Sequence, residues 1–238
     1  RLKPLNKLVQ LRAVKDSAEL ASMKKAAELT DTGVKAVLET IKPGVREYEV
    51  AAEIEYSMRK LGSEGTAFDT IVASGTRSAF PHGGCTGRKI QKRDFIVLDV
   101  GARCNDYRAD LTRTFMVGKP SPKQKKIYEV VKEAQQKAFE KIKAGVKTRD
   151  VDAAARKVIE KAGFGKYFVH GLGHGVGLEI HEAPTLNAES KERLKVGNVV
   201  TDEPGIYIVN YGGVRIEDTV LVLKDKAERL TKATNELT

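Results

Sequence analysis

The sequence predicts an α+β fold built from two related halves, each with two helices followed by strands. Residues 41–62 align without gaps on residues 142–163, and eight of the 22 positions are identical. The later strands repeat as well, since Arg108-x-Asp110-x-Thr112 matches Arg215-x-Glu217-x-Thr219 in kind. Helices grouped before strands favour antiparallel pairing over an alternating βαβ arrangement.

Four helices and six strand-like runs follow from the local signals. Asp16 with Glu19 and Ser121 with Gln124 are capping boxes that begin the first and third helices. The first apolar face extends to Ile41 before Pro43-Gly44, and the third extends to Ile142. The second and fourth helices cover about 47–61 and 148–162, each stopped by a glycine. The strand-like runs are 68–74, 94–102, 109–117, 177–182, 196–209 and 212–223.

Length and composition predict a soluble globular protein with one large domain or two small ones. The chain has 238 residues, of which 41% are hydrophobic and 31% are charged. We assign residues 1–15 to a linker-like segment and 16–238 to the domain, with halves at about 16–118 and 119–238. No apolar run approaches the ~20 residues of a membrane helix and no signal-peptide pattern opens the chain, so we expect a cytoplasmic protein without membrane contact.

The net charge of +10 does not by itself predict a nucleic-acid surface. The basic residues are scattered and interleaved with glutamate, which is typical of solvated helix faces. Cys85 and Cys104 fit no CxxC pattern and are expected to be free thiols.

Two predicted hairpins place pairs of carboxylates opposite each other. Opposed residues of an antiparallel hairpin share a constant index sum. Pairing Asp99 with Asp110 centres one turn between Cys104 and Asn105, and pairing Glu203 with Glu217 centres the other on Asn210. Paired acids in apolar strands need compensation. A shared proton, pairing with Arg108 or Arg215, and bound cations all remain open.

The four histidines lie in two glycine-rich motifs. His82 belongs to PHGG, whereas the other three fall in HGLGHGVGLEIHE at 170–182. The glycines argue against a helical zinc site, and the run does not match GxGxxG. Carboxylates with an imidazole suit Mn, Co, Zn or Fe(II), and two such ions activate water and polarise a carbonyl. The residues therefore predict a dinuclear metallohydrolase.

These motifs resemble the pita-bread metallopeptidases, which include prolidase, aminopeptidase P and methionine aminopeptidase. The resemblance rests on PHGG at 81, DFIVLDVGARCNDYRADLTRT at 94, HGLGHGVGLEIHE at 170, TDEPGIY at 201 and GGVRIEDT at 212. It implies two pseudo-symmetric helix-helix-strand halves that form a curved antiparallel sheet covered by helices.

The resemblance also implies five metal ligands. Asp99 and Asp110 would bind one ion, His174 and Glu203 the other, while Asp110 and Glu217 bridge both. Glu203 would move the proton of the attacking water as general base and then acid.

The same resemblance gives roles to four further residues. His82 and His181 would flank the scissile amide and stabilise the tetrahedral intermediate. His170 and Arg215 would position the substrate. The alternative is a packing role for either residue or, for Arg215, support of Glu217. Thr112 and Thr219 would be hydrogen-bond partners of the ligands.

Details favour the proline-directed branch of the family. PHGG followed by Arg88, the YRADLTRT run and GGVRIED resemble prolidase and aminopeptidase P, and an HGIP-like run is missing. We therefore expect cleavage of the Xaa-Pro bond after the N-terminal residue, in a dipeptide or a longer peptide with proline at the second position. A methionine aminopeptidase-like exopeptidase and a non-catalytic binding module remain alternatives. Relatives carry a preceding N-terminal domain that helps them dimerise, so we expect this sequence to start at the interdomain linker and keep a homodimer as an open expectation.

Overall fold

The structure, a computed structural model, describes residues 6–238 as helices packed on antiparallel strands. The helices are α1 (Asn6–Ala13), α2 (Ser17–Val37), α3 (Glu47–Lys60), α4 (Pro122–Phe139) and α5 (Thr148–Lys161). The strands are β1 (Ile71–Ser74), β2 (Phe95–Val100), β3 (Arg103–Cys104), β4 (Tyr107–Arg108), β5 (Leu111–Met116), β6 (Gly173–Gly175), β7 (Glu182–Leu186), β8 (Val199–Asp202), β9 (Gly205–Ile208), β10 (Gly212–Arg215), β11 (Asp218–Val222) and β12 (Ala227–Arg229). Short 3-10 turns cover Gly75–Ala79 and Gly165–Tyr167. The α+β class is confirmed.

The sequence repeat is also a structural repeat. Both ends of α3 and α5 differ by the same 101 positions that separate the matching sequences. The loop before each helix is anchored in the same way, since Gly44 N–H donates to Ile90 O at 2.9 Å and Gly145 N–H to Leu194 O at 2.8 Å. Each half has its own apolar core, one centred on α2 and α3 and the other on α4 and α5.

Both predicted capping boxes are present at Asp16 and Ser121. The ends of these helices were predicted too late. Helix α2 stops at Val37, whose carbonyl accepts N–H bonds from Thr40 and Ile41 in a following turn. Ile142 likewise lies beyond α4 but remains buried. Apolar periodicity therefore continued past the helix because a packed turn also buries its side chains.

The strands form two main antiparallel sheets that meet beside the predicted metal ligands Asp110 and Glu217. The first has the order β1-β2-β5, and the second has the order β12-β11-β8-β6-β7. They are joined where Asp110 N–H donates to Thr219 Oγ1 at 3.0 Å and Glu217 N–H donates to Thr112 O at 3.0 Å. Residues of both halves are thereby brought to one place.

One predicted hairpin register is correct and the other is wrong. The second hairpin pairs Ile208 with Gly212 around Asn210, as expected. In the first, Asp99 lies opposite Thr112 and not Asp110. Asn105 and Asp106 both adopt positive φ, 49° and 64°, and so form a two-residue turn one position later than expected. A register shift of two residues leaves the side chains on the same sheet face, so Asp99 and Asp110 still face the same side.

The segment 177–182 is not a strand over most of its length. Only Glu182 begins β7, while the preceding residues form a bend. Gly177 N–H donates to Glu179 O at 3.0 Å, and the Glu182 carboxylate accepts the Glu179 N–H at 3.0 Å. These local bonds replace strand pairing. The predicted runs 196–209 and 212–223 are each divided into two strands, and Pro204, which has no N–H, lies at the first break.

The predicted linker-like segment contains a helix in its described part. Residues 1–5 lie outside the described residues, whereas α1 is followed by Val14, which forms a β-bridge with Asn198. Lys15 then pairs with Glu182, Nζ to Oε2, at 3.2 Å. The domain bounds remain a prediction. Within residues 6–238, no helix is both long and apolar enough to cross a membrane.

Candidate functional site

Every site residue predicted from the sequence lines one cavity of about 470 Å³. Its walls include His82, Asp99, Asp110, His170, His174, His181, Glu203, Arg215 and Glu217. The cavity lies at the junction of the two sheets, and its walls come from both halves of the chain.

The strand layout explains how the acids converge. Asp99 belongs to β2 and Asp110 immediately precedes β5, so the first half supplies both from neighbouring strands. Glu203 follows β8, and Glu217 lies in the break between β10 and β11. His174 is the middle residue of β6, which pairs with β8. Residues at strand ends and breaks can direct side chains into the cavity while the adjacent backbone stays paired.

Three of these side chains form the core of a candidate metal centre. One ligand atom each from Asp110, His174 and Glu217 lies within 4.8 Å of the others. His174 Nε2 is 3.7 Å from Asp110 Oδ2 and 3.3 Å from Glu203 Oε1. Such spacing lets several donors reach one ion.

The buried carboxylates carry more negative charge than the surrounding protein compensates. Burial, together with the charge of Asp99, raises the pKa of Asp110 well above its ordinary value. Burial and the charge of Asp110 do the same to the pKa of Glu217. Burial also raises the pKa of Asp99, although Arg215 opposes the shift.

Glu203 and His174 behave as an ion pair. Burial acts to raise the pKa of Glu203, but the hydrogen bond and charge of His174 lower it to about 2. Burial acts to lower the pKa of His174, but Glu203 and Asp110 raise it to about 9. A proton on His174 therefore neutralises part of the negative charge of the carboxylates, as a bound cation would.

This donor set fits divalent metal ions. Asp99 Oδ1 is buried, and within residues 6–238 it has no hydrogen-bond partner. Clustered carboxylate oxygens with raised pKa values, one of them unpartnered, are a surrounding that a divalent cation would stabilise. Carboxylate oxygen with imidazole nitrogen is a ligand set used by Mn, Co, Zn and Fe(II).

Three threonines donate hydrogen bonds to the acids or to their backbone. Thr112 Oγ1 donates to Glu217 Oε2 at 2.5 Å, and Thr219 Oγ1 donates to the Asp110 carbonyl at 2.7 Å. Thr201 Oγ1 donates to Glu203 Oε1 at 3.0 Å while accepting the N–H of His174. One hydroxyl therefore fixes both members of the ion pair.

Arg215 lies closer to the carboxylate of Asp99 than to that of Glu217. Its Nη2 contacts Asp99 Oδ2, whereas its Nε lies 4.0 Å from Glu217 Oε2. Nε also donates to Thr112 Oγ1 at 2.9 Å, and Nη1 donates to the Tyr207 hydroxyl at 3.0 Å. The expected support for Glu217 is thus the longer of the two contacts, and a substrate contact by Arg215 stays a prediction.

The histidines surround the acids at different depths. His170 Nδ1 lies 2.7 Å from the Gly171 carbonyl, so Nδ1 carries the proton. Its Nε2, 2.9 Å from the Tyr207 hydroxyl, accepts from that group when the ring is neutral. His174 and His181 meet edge to face with ring centroids 4.3 Å apart, and His82 and His181 are exposed.

Several residues of the site were not predicted from the sequence. Tyr207 joins Arg215 to His170, although it was quoted only as part of TDEPGIY. Phe68, Asp69 and Ile71 line the cavity but were read only as part of a strand. Pairing of Ile71 with Asp99 would have placed this segment beside the ligands.

An α+β fold that gathers four carboxylates and an imidazole around one cavity defines a protein of the metallohydrolase class. Residues 21–224 match the sequence profile of metallopeptidase family M24, and the chain belongs to that family.

The relatives include proteins named for Xaa-Pro cleavage. The chain is 51% identical over 227 residues to the Xaa-Pro dipeptidase of Pyrococcus furiosus. The aligned region covers 95% of this chain and 65% of the relative. The prolidase structure from the same organism has a TM-score of 0.96 at 49% identity, covering 98% of this chain and 69% of that one. The X-Pro aminopeptidase structure from Thermotoga maritima has a TM-score of 0.95 at 41% identity, covering 98% and 66%. The chain thus spans about 65% of the length of its first curated relatives.

These comparisons confirm the pita-bread fold and the resemblance to the metallopeptidase family. The family and the carboxylate–histidine cluster together imply a dinuclear centre of divalent ions. The identity of the metal and the roles of individual residues remain predictions.

Proposed function

We propose that this chain is a peptidase domain that hydrolyses the Xaa-Pro bond after the N-terminal residue of a peptide. The observation that carries the proposal is the convergence of Asp110, His174 and Glu217 in a cavity also lined by His82 and His181. Relatives at 49–51% identity that bear the name Xaa-Pro dipeptidase support the choice of bond.

Asp99, Asp110, His174, Glu203 and Glu217 would hold two divalent ions. When bound, such ions activate a water molecule and polarise the scissile carbonyl. Mn, Co, Zn and Fe(II) all suit these ligands.

Glu203 carries the proton through the reaction. Its carboxylate oxygen Oε1, which lies 3.3 Å from His174 Nε2 at the candidate metal centre, accepts a proton from the attacking water. As the water oxygen bonds to the carbonyl carbon, the proton passes to Glu203. It then moves to the proline nitrogen when the C–N bond breaks.

His82 and His181 stabilise the negative charge that develops on the carbonyl oxygen. Both rings are exposed at the cavity wall, where an N–H can reach substrate. Partial burial at the cavity wall lowers the pKa of His181, which favours the neutral ring with its one N–H donor. A donor placed at the developing oxyanion contributes most in the transition state.

Selectivity for proline follows from the shape of the substrate. The scissile nitrogen belongs to the proline ring and carries no hydrogen, so the enzyme cannot recognise the bond by an N–H donor. Phe68, Ile71 and Ile180 give the cavity apolar surface that can pack against a substrate. A peptide with proline at the second position is therefore the proposed substrate.

The test compares release of the first residue from Ala-Pro, Ala-Pro-Ala and Met-Ala-Ala by the manganese-loaded chain. We expect cleavage of at least one of the two Xaa-Pro peptides, reversible loss on chelation, and no activity in Glu203→Gln. Glu39→Gln, an exposed acid outside the cavity lining, is the matched control. Cleavage of Met-Ala-Ala alone would favour the methionine aminopeptidase alternative. Cleavage of none of the three peptides by a metal-loaded chain would favour the binding module.

A homodimeric state, a cytoplasmic location and a lack of nucleic-acid binding stay predictions. Sedimentation of the purified chain measures its oligomeric state. A pull-down with and without nuclease treatment measures whether nucleic acid binds to the chain.

A further inference from the structure

We propose that Asp69 binds the N-terminal ammonium group of the substrate and so restricts cleavage to peptides with a free amino terminus. This inference rests on the proposed function, since it names how that site recognises the first residue. It assigns a specificity role to a carboxylate outside the five predicted metal ligands.

The backbone around Asp69 is held beside the ligand strands. Ala67 N–H donates to the Gly101 carbonyl at 2.8 Å, and Cys85 Sγ donates to the Thr70 carbonyl at 3.0 Å. Two residues after Asp69, Ile71 pairs directly with Asp99 of β2. Asp69 is therefore fixed on both sides at the wall of the cavity.

The charge of Asp69 is uncommitted. Its side chain is exposed, and across residues 6–238 no hydrogen bond or ion pair engages its carboxylate. Other acids of the lining have partners, as Asp99 has Arg215, Glu217 has Thr112, and Glu203 has Thr201. Asp69 thus offers a charged acceptor to a ligand at no cost to existing contacts.

Its neighbours match the chemistry of an N-terminal residue. Phe68 and Ile71 line the same cavity and present apolar surface on either side of Asp69 in the sequence. An N-terminal residue carries an ammonium group and a side chain on the same carbon. A cavity wall that presents a carboxylate together with apolar side chains can bind both parts at once.

An exopeptidase must distinguish a terminal ammonium from a blocked or internal amide. A carboxylate makes a strong, charge-assisted hydrogen bond to an ammonium and no comparable bond to an acylated nitrogen. Removing such a bond typically lowers affinity about 10- to 100-fold. Asp69 would therefore impose selectivity of that size.

The experiment compares Ala-Pro-Ala with propionyl-Pro-Ala, which lacks only the amine. We expect wild type to prefer Ala-Pro-Ala about 10- to 100-fold in kcat/KM, and Asp69→Asn to lose most of this preference by slowing only the amine-bearing substrate. Asp69→Glu, which keeps the charge, should retain part of it. Asp225→Asn, an exposed acid outside the cavity lining, is the matched control and should behave as wild type.

The same comparison is made by calorimetric binding to manganese-loaded Glu203→Gln with and without Asp69→Asn, so that hydrolysis of Ala-Pro-Ala does not contribute to the heat. Cleavage with undiminished amine preference in Asp69→Asn would overturn this inference and leave the proposed function intact. Amine-selective binding that depends on Asp69, without cleavage, would support the inference and overturn the proposed function. A chain that binds neither peptide would contradict both.

Discussion

Arg215 of the second half contacts the Asp99 carboxylate of the first half through Nη2. Both side chains are buried, and Arg215 also reaches Thr112 and Tyr207. One guanidinium therefore holds a predicted metal ligand together with Thr112 of the neighbouring strand β5 and Tyr207 of β9. Lysine, with a compact ammonium, cannot reproduce several contacts in a fixed plane.

We expect Arg215→Lys to lower metal affinity and kcat about 10- to 100-fold, because outer contacts orient the ligands. Metal titration followed by activity on Ala-Pro-Ala measures both effects. Arg193→Lys, at an exposed arginine outside the cavity, is the control. Full metal affinity in Arg215→Lys would show that Asp99 does not need this partner.

Asp202 and Asp218 face each other directly across β8 and β11. Asp218 is paired with Arg113 at 2.7 Å, but both oxygens of buried Asp202 have no partner within the described residues. Burial, then the charge of Asp218, raises the pKa of Asp202 well above its ordinary value. Because the folded pKa exceeds the unfolded value of 3.8, this site is favourable below that pH and loses stability as the pH rises toward the folded pKa.

Asp202→Asn removes this charge and should stabilise the metal-free chain more at pH 7 than at pH 4. Each kcal/mol gained corresponds to about 2–4 °C in Tm for a domain of this size. Thermal unfolding at both pH values tests the sign. An equal shift at the two pH values, or a lower Tm at pH 7, would contradict the assignment.

Glu182 ties the N-terminal residues to the bend that carries His181. Its carboxylate pairs with Lys15 at 3.2 Å, and both side chains are buried. Burial lowers the pKa of Lys15 even though Glu182 opposes the shift. We expect Glu182→Gln to lower the free energy of unfolding by about 3–5 kcal/mol, because it leaves a buried ammonium unpaired.

The double variant Lys15→Met/Glu182→Gln should recover much of that loss, since no unpaired charge remains. Denaturant unfolding of the two variants makes the comparison. Equal stability of the single and double variants would show that the cost does not come from the stranded ammonium.

Glu47 holds both sides of the loop that bears His82. Oε1 accepts the Ser74 N–H at 2.8 Å, while Oε2 accepts Arg77 Nη1 at 2.5 Å and the Thr86 N–H at 3.0 Å. Glu47→Gln replaces an acceptor with a donor and should loosen this loop. We expect a fall in kcat of about tenfold with unchanged metal content, because none of the predicted ligands is touched.

Steady-state kinetics with metal analysis tests this separation, and Glu55→Gln, at an exposed position on the same helix, is the control. Loss of metal together with activity would instead place Glu47 in support of the whole site.

The sequence predicted the α+β class from the repeated order of two helices followed by strands. It predicted that the acids converge because each pair lies in two strands joined by a short turn. The register around Asp99 was wrong, since left-handed conformations at Asn105 and Asp106 decide where the turn falls. The error was harmless to the site because a shift of two residues preserves the sheet face. The bend at 177–182 was missed because it depends on Glu182, whose partners Arg12 and Lys15 are about 170 residues away in the chain.

The roles of Tyr207 and Asp69 could not be read from patterns alone. Tyr207 contributes through Arg215 on the partner strand and His170 on a separate loop, so its contacts exist only in the folded chain. Asp69 stands out because it lacks partners in the cavity, which requires the positions of all neighbouring side chains.

The most direct test of the account is the metal-to-chain ratio after equilibrium dialysis against manganese, measured by elemental analysis. We predict two ions per wild-type chain and fewer than one in Glu217→Gln, which removes the proposed bridging carboxylate. A wild-type chain without bound manganese, cobalt, zinc or iron, or a Glu217→Gln variant that retains two ions, would contradict the central claim.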